Sequence, residues 1–140
     1  MTETAILLPV LAQVFLTLML FILLLLRKKE AMQSGTVNSE ETALDNRKWP
    51  SAVVKVSNNI ANQFETPMLF YVLCLILFGL NVVSSAIIYL AWVYVVTRYV
   101  HAYVHVTSNF VPFRMKAFAL GVLILLCMTV ITAIHIASTS

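Results

Sequence analysis

Charge is scarce in this chain. Lys, Arg, Asp and Glu make up 11% of its 140 residues, against 61% hydrophobic types. That balance excludes an ordinary soluble domain, in which about a quarter of residues are charged. Four apolar stretches, at about 4–26, 52–79, 84–106 and 114–137, each reach the roughly 20 residues a helix needs to cross hydrocarbon. They predict an all-α, four-span integral membrane bundle occupying residues 1–140 as one domain, with no room for a separate soluble one. Cysteine is also sparse: Cys74 and Cys127 lie in different apolar runs, define no disulfide and carry no compartment signal. No basic residue precedes the first run, and that run exceeds the roughly 7–15 apolar residues of a secretory signal, so it is expected to stay in the mature protein. The chain has no basic surface suited to nucleic acid, no short internal repeat, and no matched pair of broken helices of the kind that marks many transporters.

What charge there is falls unevenly. Arg27, Lys28, Lys29, Arg47 and Lys48 flank or occupy the first loop, at about 27–50, while Arg114 and Lys116 follow the third span and the Gly79–Ser85 connection has none. The positive-inside rule therefore places loops one and three in the cytoplasm and both termini on the non-cytoplasmic side. The polar stretch from Glu30 to Asn46 reads as a solvated, mobile loop. Trp49 and Pro50 mark the interface where the second span begins.

Inside the spans, polar residues form two stripes. Lys55, Asn58, Asn62 and Glu65 follow helical i, i+3, i+4 spacing on the second span, and Tyr94, Arg98, His101 and His105 do so on the third. An unpaired charge at a helix centre costs roughly 2.5–3.5 kcal/mol, so Glu65 and Arg98, the opposite charges well inside the spans, are expected to form an ion pair. Pro67 is expected to kink the second span just beyond Glu65. Asn58, Asn59 and Gln63 are expected to serve helix packing. His101 and His105 lack the further Cys or acid that would complete a metal site, and no metal is assigned.

These residues resemble the membrane-associated proteins in eicosanoid and glutathione metabolism, the family of microsomal glutathione transferases and prostaglandin E synthase. The resemblance rests on Asn62-Gln63-Phe64-Glu65-Thr66-Pro67, on Trp92 with Arg98-Tyr99-Val100-His101, and on Arg114 following Pro112, and it covers most of the chain. It implies a homotrimer in membrane lipid, with glutathione bound between subunits and a lipophilic small molecule entering from the bilayer. It further implies that Arg98 and Arg114 meet the glutathione carboxylates, Glu65 the amine, and Asn62 and His101 neutral groups, with His105 beside them and Arg114 activating the thiol. The chain departs from the family's catalytic members at Asn58, Ala61, His105 and Phe118.

Two functions follow as expectations. One is a glutathione-dependent transferase or peroxidase acting on lipophilic electrophiles. The other is a non-catalytic structural or lipid-binding protein that keeps the scaffold. A channel or transporter is disfavoured by the single acid in the spans and the lack of a filter-like sequence.

Overall fold

The computed structural model describes residues 2–139, and in it four helical stretches are long and apolar enough to cross a membrane: Glu3–Gln33, Ser51–Gly79, Ser85–Val106 and Val111–Thr139. The chain is a multi-pass integral membrane protein. Its large exposed side chains, such as Leu11, Phe15, Leu18, Leu75, Leu123 and Leu126, are the apolar coat that hydrocarbon requires.

The first span enters through a 3-10 turn, Glu3–Ile6, and continues as α1, Leu7–Gln33. It outruns the expected boundary because Arg27, Lys28 and Lys29 are good helix formers that carry the helix into water, where Arg27 pairs with Glu30 at 3.0 Å. The segment expected as a loop at 27–50 is therefore shorter and more ordered. It holds α2, Ser39–Leu44, because the Asn38 side chain accepts hydrogen bonds from the Glu40 and Glu41 amides at 3.0 and 3.4 Å. A 3-10 turn, Asn46–Lys48, follows, capped by the Asp45 carboxylate. Lys28 Nζ lies 5.0 Å from the centre of the Trp49 ring and ties this segment to the end of α1.

The second span is broken in two: α3, Ser51–Gln63, and α4, Thr66–Gly79. Pro67 lacks an amide hydrogen and its ring crowds the carbonyl four residues back, that of Gln63, which is where α3 stops. The break thus falls at Phe64 and Glu65, slightly ahead of the expected kink, and leaves Pro67 in the first turn of a new helix, where proline is tolerated. The third and fourth spans are α5, Ser85–Val106, and α6, Val111–Thr139. α5 is started by the Ser84 hydroxyl, which accepts from the Ile87 amide at 3.3 Å. Asn109, at φ 52°, turns the chain after α5, and its amide bonds the Val104 carbonyl at 2.7 Å.

α5 is the central helix, more than half buried where the other spans are a third buried or less. It lies closest to α6, where Gly121 permits the approach: a Cβ there would stand 3.0 Å from Thr97 Oγ1 and 3.5 Å from the Tyr94 ring. Two apolar cores result. One holds Phe70, Cys74, Leu77, Ala91, Tyr94, Ile124 and Met128. The other, toward the basic end of the bundle, holds Leu16, Leu20, Val56, Ile60 and Ala102. A buried polar layer separates them.

Candidate functional site

The polar layer starts from Gln13 on α1. Its Nε2 donates to Gln63 Oε1 at 2.9 Å, Gln63 Nε2 donates to Asn59 Oδ1 at 2.9 Å, and Asn59 Nδ2 donates to the Ala102 carbonyl at 3.1 Å. This relay of amides joins α1, α3 and α5, and supplies the packing role expected of Asn59 and Gln63. Asn58 differs: it is exposed, on the opposite side of α3. The reason is helical phase. α3 buries Val53, Val56, Asn59, Ile60 and Gln63, which leaves Asn58 exposed and Lys55 and Asn62 half-buried at the edge of that face.

The expected ion pair does not form, because Glu65 sits in the break between α3 and α4, where the backbone leaves helical geometry. Arg98 is 1% exposed, Glu65 is exposed, and among the described residues the ion pairs are Arg27–Glu30 and Asp45–Arg47 alone. Arg98 Nη2 instead donates to the Asn62 carbonyl at 3.3 Å. The break at Phe64 frees carbonyls at the end of α3, and a buried guanidinium beside them satisfies that helix terminus and its negative dipole end. Its Nε has no partner. Above it, Tyr94 stacks on Phe70 with ring centres 4.5 Å apart and shares a 3.1 Å hydrogen bond with the Thr66 hydroxyl, tying α5 to the start of α4.

His101 and His105 follow on α5, both buried, with rings 5.7 Å apart and nearly parallel. His101 also meets Phe118, 6.1 Å away. Neither Nδ1 has a hydrogen-bond partner. Among the described residues no three His, Cys, Asp or Glu side chains are grouped as metal ligands.

His105 belongs as well to a polar pocket of about 600 Å³ at the basic end, lined by Arg47, Trp49, Ser51, Val54, Lys55, Asn58, His105, Asn109 and Arg114. No acidic side chain lines it. Arg114 sits in the first turn of α6 and donates to the Asn109 side chain, while Lys55 Nζ donates to the Thr107 carbonyl at 3.1 Å and so caps α5. Both partners are neutral, and the two charges stay uncompensated. Arg47 is held by Asp45, whose carboxylate accepts from the Arg47 amide, Nε and Nη2 at 2.9–3.1 Å. Those bonds hold the Asp45 carboxyl below its ordinary range.

The residues singled out in the sequence are thus divided. Arg114 and His105 share the basic pocket; Arg98 and Asn62 meet at the helix break; His101 lies on α5 between the two; Glu65 faces outward. Arg47 and Asn109 also line the pocket, and no spacing in the sequence points to either there. The Ser108-Asn109 pair after a long periodic run was a signal for a helix stop, though not for a side chain positioning Arg114.

A chain of four membrane helices with a polar layer around a central third span, and an Arg at the start of the fourth, defines a class of membrane protein. Residues 6–134 match the MAPEG family, and the chain belongs to it. Neither the curated proteins nor the solved structures give a match.

Proposed function

We propose that this MAPEG family member binds glutathione and activates its thiol for attack on lipophilic electrophiles, as a homotrimer with both termini on the non-cytoplasmic side. The observation that supports this reading is the acid-free basic pocket, which brings Arg114, Lys55 and His105 together at the start of α6. Glutathione carries two carboxylates, and cations with neutral partners at a helix N-terminus suit such groups. A thiol with a reference pKa of about 8.5 needs roughly 1.4–2.7 kcal/mol of preferential thiolate stabilisation to drop by one to two units. One guanidinium and the α6 dipole meet that demand. The thiol proton passes to water, the thiolate sulfur bonds to the electrophilic carbon, and the leaving group departs with the electrons of the broken bond. An apolar groove of about 340 Å³ between α4 and α6, lined by Leu69, Val72, Val122 and Leu126 among others, suits a lipophilic co-substrate arriving from the bilayer.

The outward turn of Glu65 favours a second reading. Nothing in the single subunit sets Glu65 beside the basic pocket to receive an amine, and in this alternative the family scaffold serves a structural or lipid-binding role without turnover. Calorimetry of glutathione with the detergent-purified protein decides between them. Saturable binding that weakens about tenfold in Arg114→Ala, with the oligomer unchanged by size exclusion, supports the enzyme. Absence of binding up to millimolar glutathione leaves the scaffold reading.

A further inference from the structure

The basic pocket lies at a particular depth. α3 begins at Ser51 directly after Trp49 and Pro50, α5 ends at Val106, and α6 begins at Val111, so the pocket opens where the spans leave hydrocarbon. Trp49, a residue type that settles at the headgroup level, lines it. The chemistry inside is that of a site for an oxyanion. Lys55 and Arg114 touch only neutral oxygens, and no acid lines the wall. Pro50 gives the first turn of α3 no side-chain acceptor, and Ser51 of that turn faces the pocket. His105, 5% exposed, also lines it and has an Nδ1 with no partner.

We propose that this pocket seats the phosphate of an anionic phospholipid headgroup from the leaflet at the basic end of the bundle. A lipid, rather than a free anion, is favoured by the position: the bilayer holds phosphates at this depth at high local concentration, and Val54 and the Trp49 ring give an acyl-glycerol stem an apolar wall. Lys55 and Arg114, the two cations with neutral partners, supply the attraction, His105 and the α3 amides the directional contacts. The pocket is the one that supports the glutathione reading and shares Arg114, Lys55 and His105 with it, but the proposal stands without that reading, because headgroup binding is measured with no thiol present.

The experiment uses the full chain in detergent with Trp92→Phe, which leaves Trp49 as the one remaining tryptophan. Its fluorescence is followed against dihexanoyl phosphatidylserine, dihexanoyl phosphatidylcholine and inorganic phosphate. The expected result is a saturable change with phosphatidylserine, weaker with the zwitterionic lipid. Affinity should fall about tenfold or more when Lys55→Gln and Arg114→Gln are combined, at about fivefold per lost cation, and hold in Lys55→Arg, which also guards against a folding defect. Lys116→Gln, which removes one charge outside the pocket, should change nothing. Equal affinity for the two lipids, no loss in the double variant, or an equal loss in Lys116→Gln overturns the proposal. Inorganic phosphate binding as tightly as phosphatidylserine also overturns it, by assigning the pocket to a soluble anion.

Discussion

Replacing Glu65 by Gln separates two accounts of the same residues. If Glu65 and Arg98 were a buried ion pair, removing one partner would cost about 3–5 kcal/mol, because the other charge would be left unpaired in a low-dielectric interior. The geometry says otherwise. Glu65 is exposed, it sits in the break that ends α3, and Arg98 is held by the Asn62 carbonyl. Glu65→Gln is therefore expected to change the subunit's stability by less than about 0.5 kcal/mol, the usual range for a surface substitution. Arg98→Gln is expected to cost about 1.5–3 kcal/mol, through the hydrogen bond from its charged donor to the end of α3. The double variant should then equal the sum of the singles within about 0.5 kcal/mol. The assay is an SDS titration in mixed micelles followed by circular dichroism, with size exclusion on each sample so that the same oligomer is compared throughout. A coupling energy above about 1.5 kcal/mol would refute the assignment of Arg98 to the helix end and restore the ion pair.

In the amide relay, Gln63→Leu strands Gln13 and Asn59 at once, and is expected to cost about 1–3 kcal/mol in the same titration, whereas Asn58→Leu at the exposed side of α3 should leave subunit stability nearly unchanged. At the α5–α6 contact, Gly121→Leu forces atoms into Thr97 and the Tyr94 ring and is expected to cost about 1–3 kcal/mol, read as a lower thermal midpoint, while Gly79→Leu, with open space around it, should not. In the loop, the Asp45 carboxyl should titrate below 3.8 by carbon-detected NMR and return to its ordinary value in Arg47→Ala. Because the folded value is the lower one, the Asp45–Arg47 clip is complete at neutral pH and is lost as pH falls through the folded value.

The membrane class and the number of spans were legible in the sequence because each follows from local composition: a run of about 20 apolar residues has few other fates. The break near Pro67 was legible for the same kind of reason, since a missing amide and a ring clash act within four residues. Asn59 and Gln63 were recognisable as packing residues from their type and depth. Boundaries suffered where short-range capping competed with hydropathy. Asn38 nucleates a helix in a segment whose composition reads as loop, and the basic residues after Leu26 prolong α1 rather than end it.

The partners of the charged residues lay beyond the sequence. Spacing shows that Lys55, Asn58, Asn62 and Glu65 share a face, but not toward which neighbour that face turns; rotation of α3 was decided by which apolar residues found a core, and Val53, Val56 and Ile60 found one on the other side. That rotation set Lys55 across from Arg114 on a helix nearly sixty residues further along the chain, while the break after Gln63 turned Glu65 outward and left Arg98 to the Asn62 carbonyl. Apolar patterns and turns are written in neighbouring residues, whereas the pairing of groups on separate helices depends on how whole cylinders settle against one another, and tertiary packing alone resolves that.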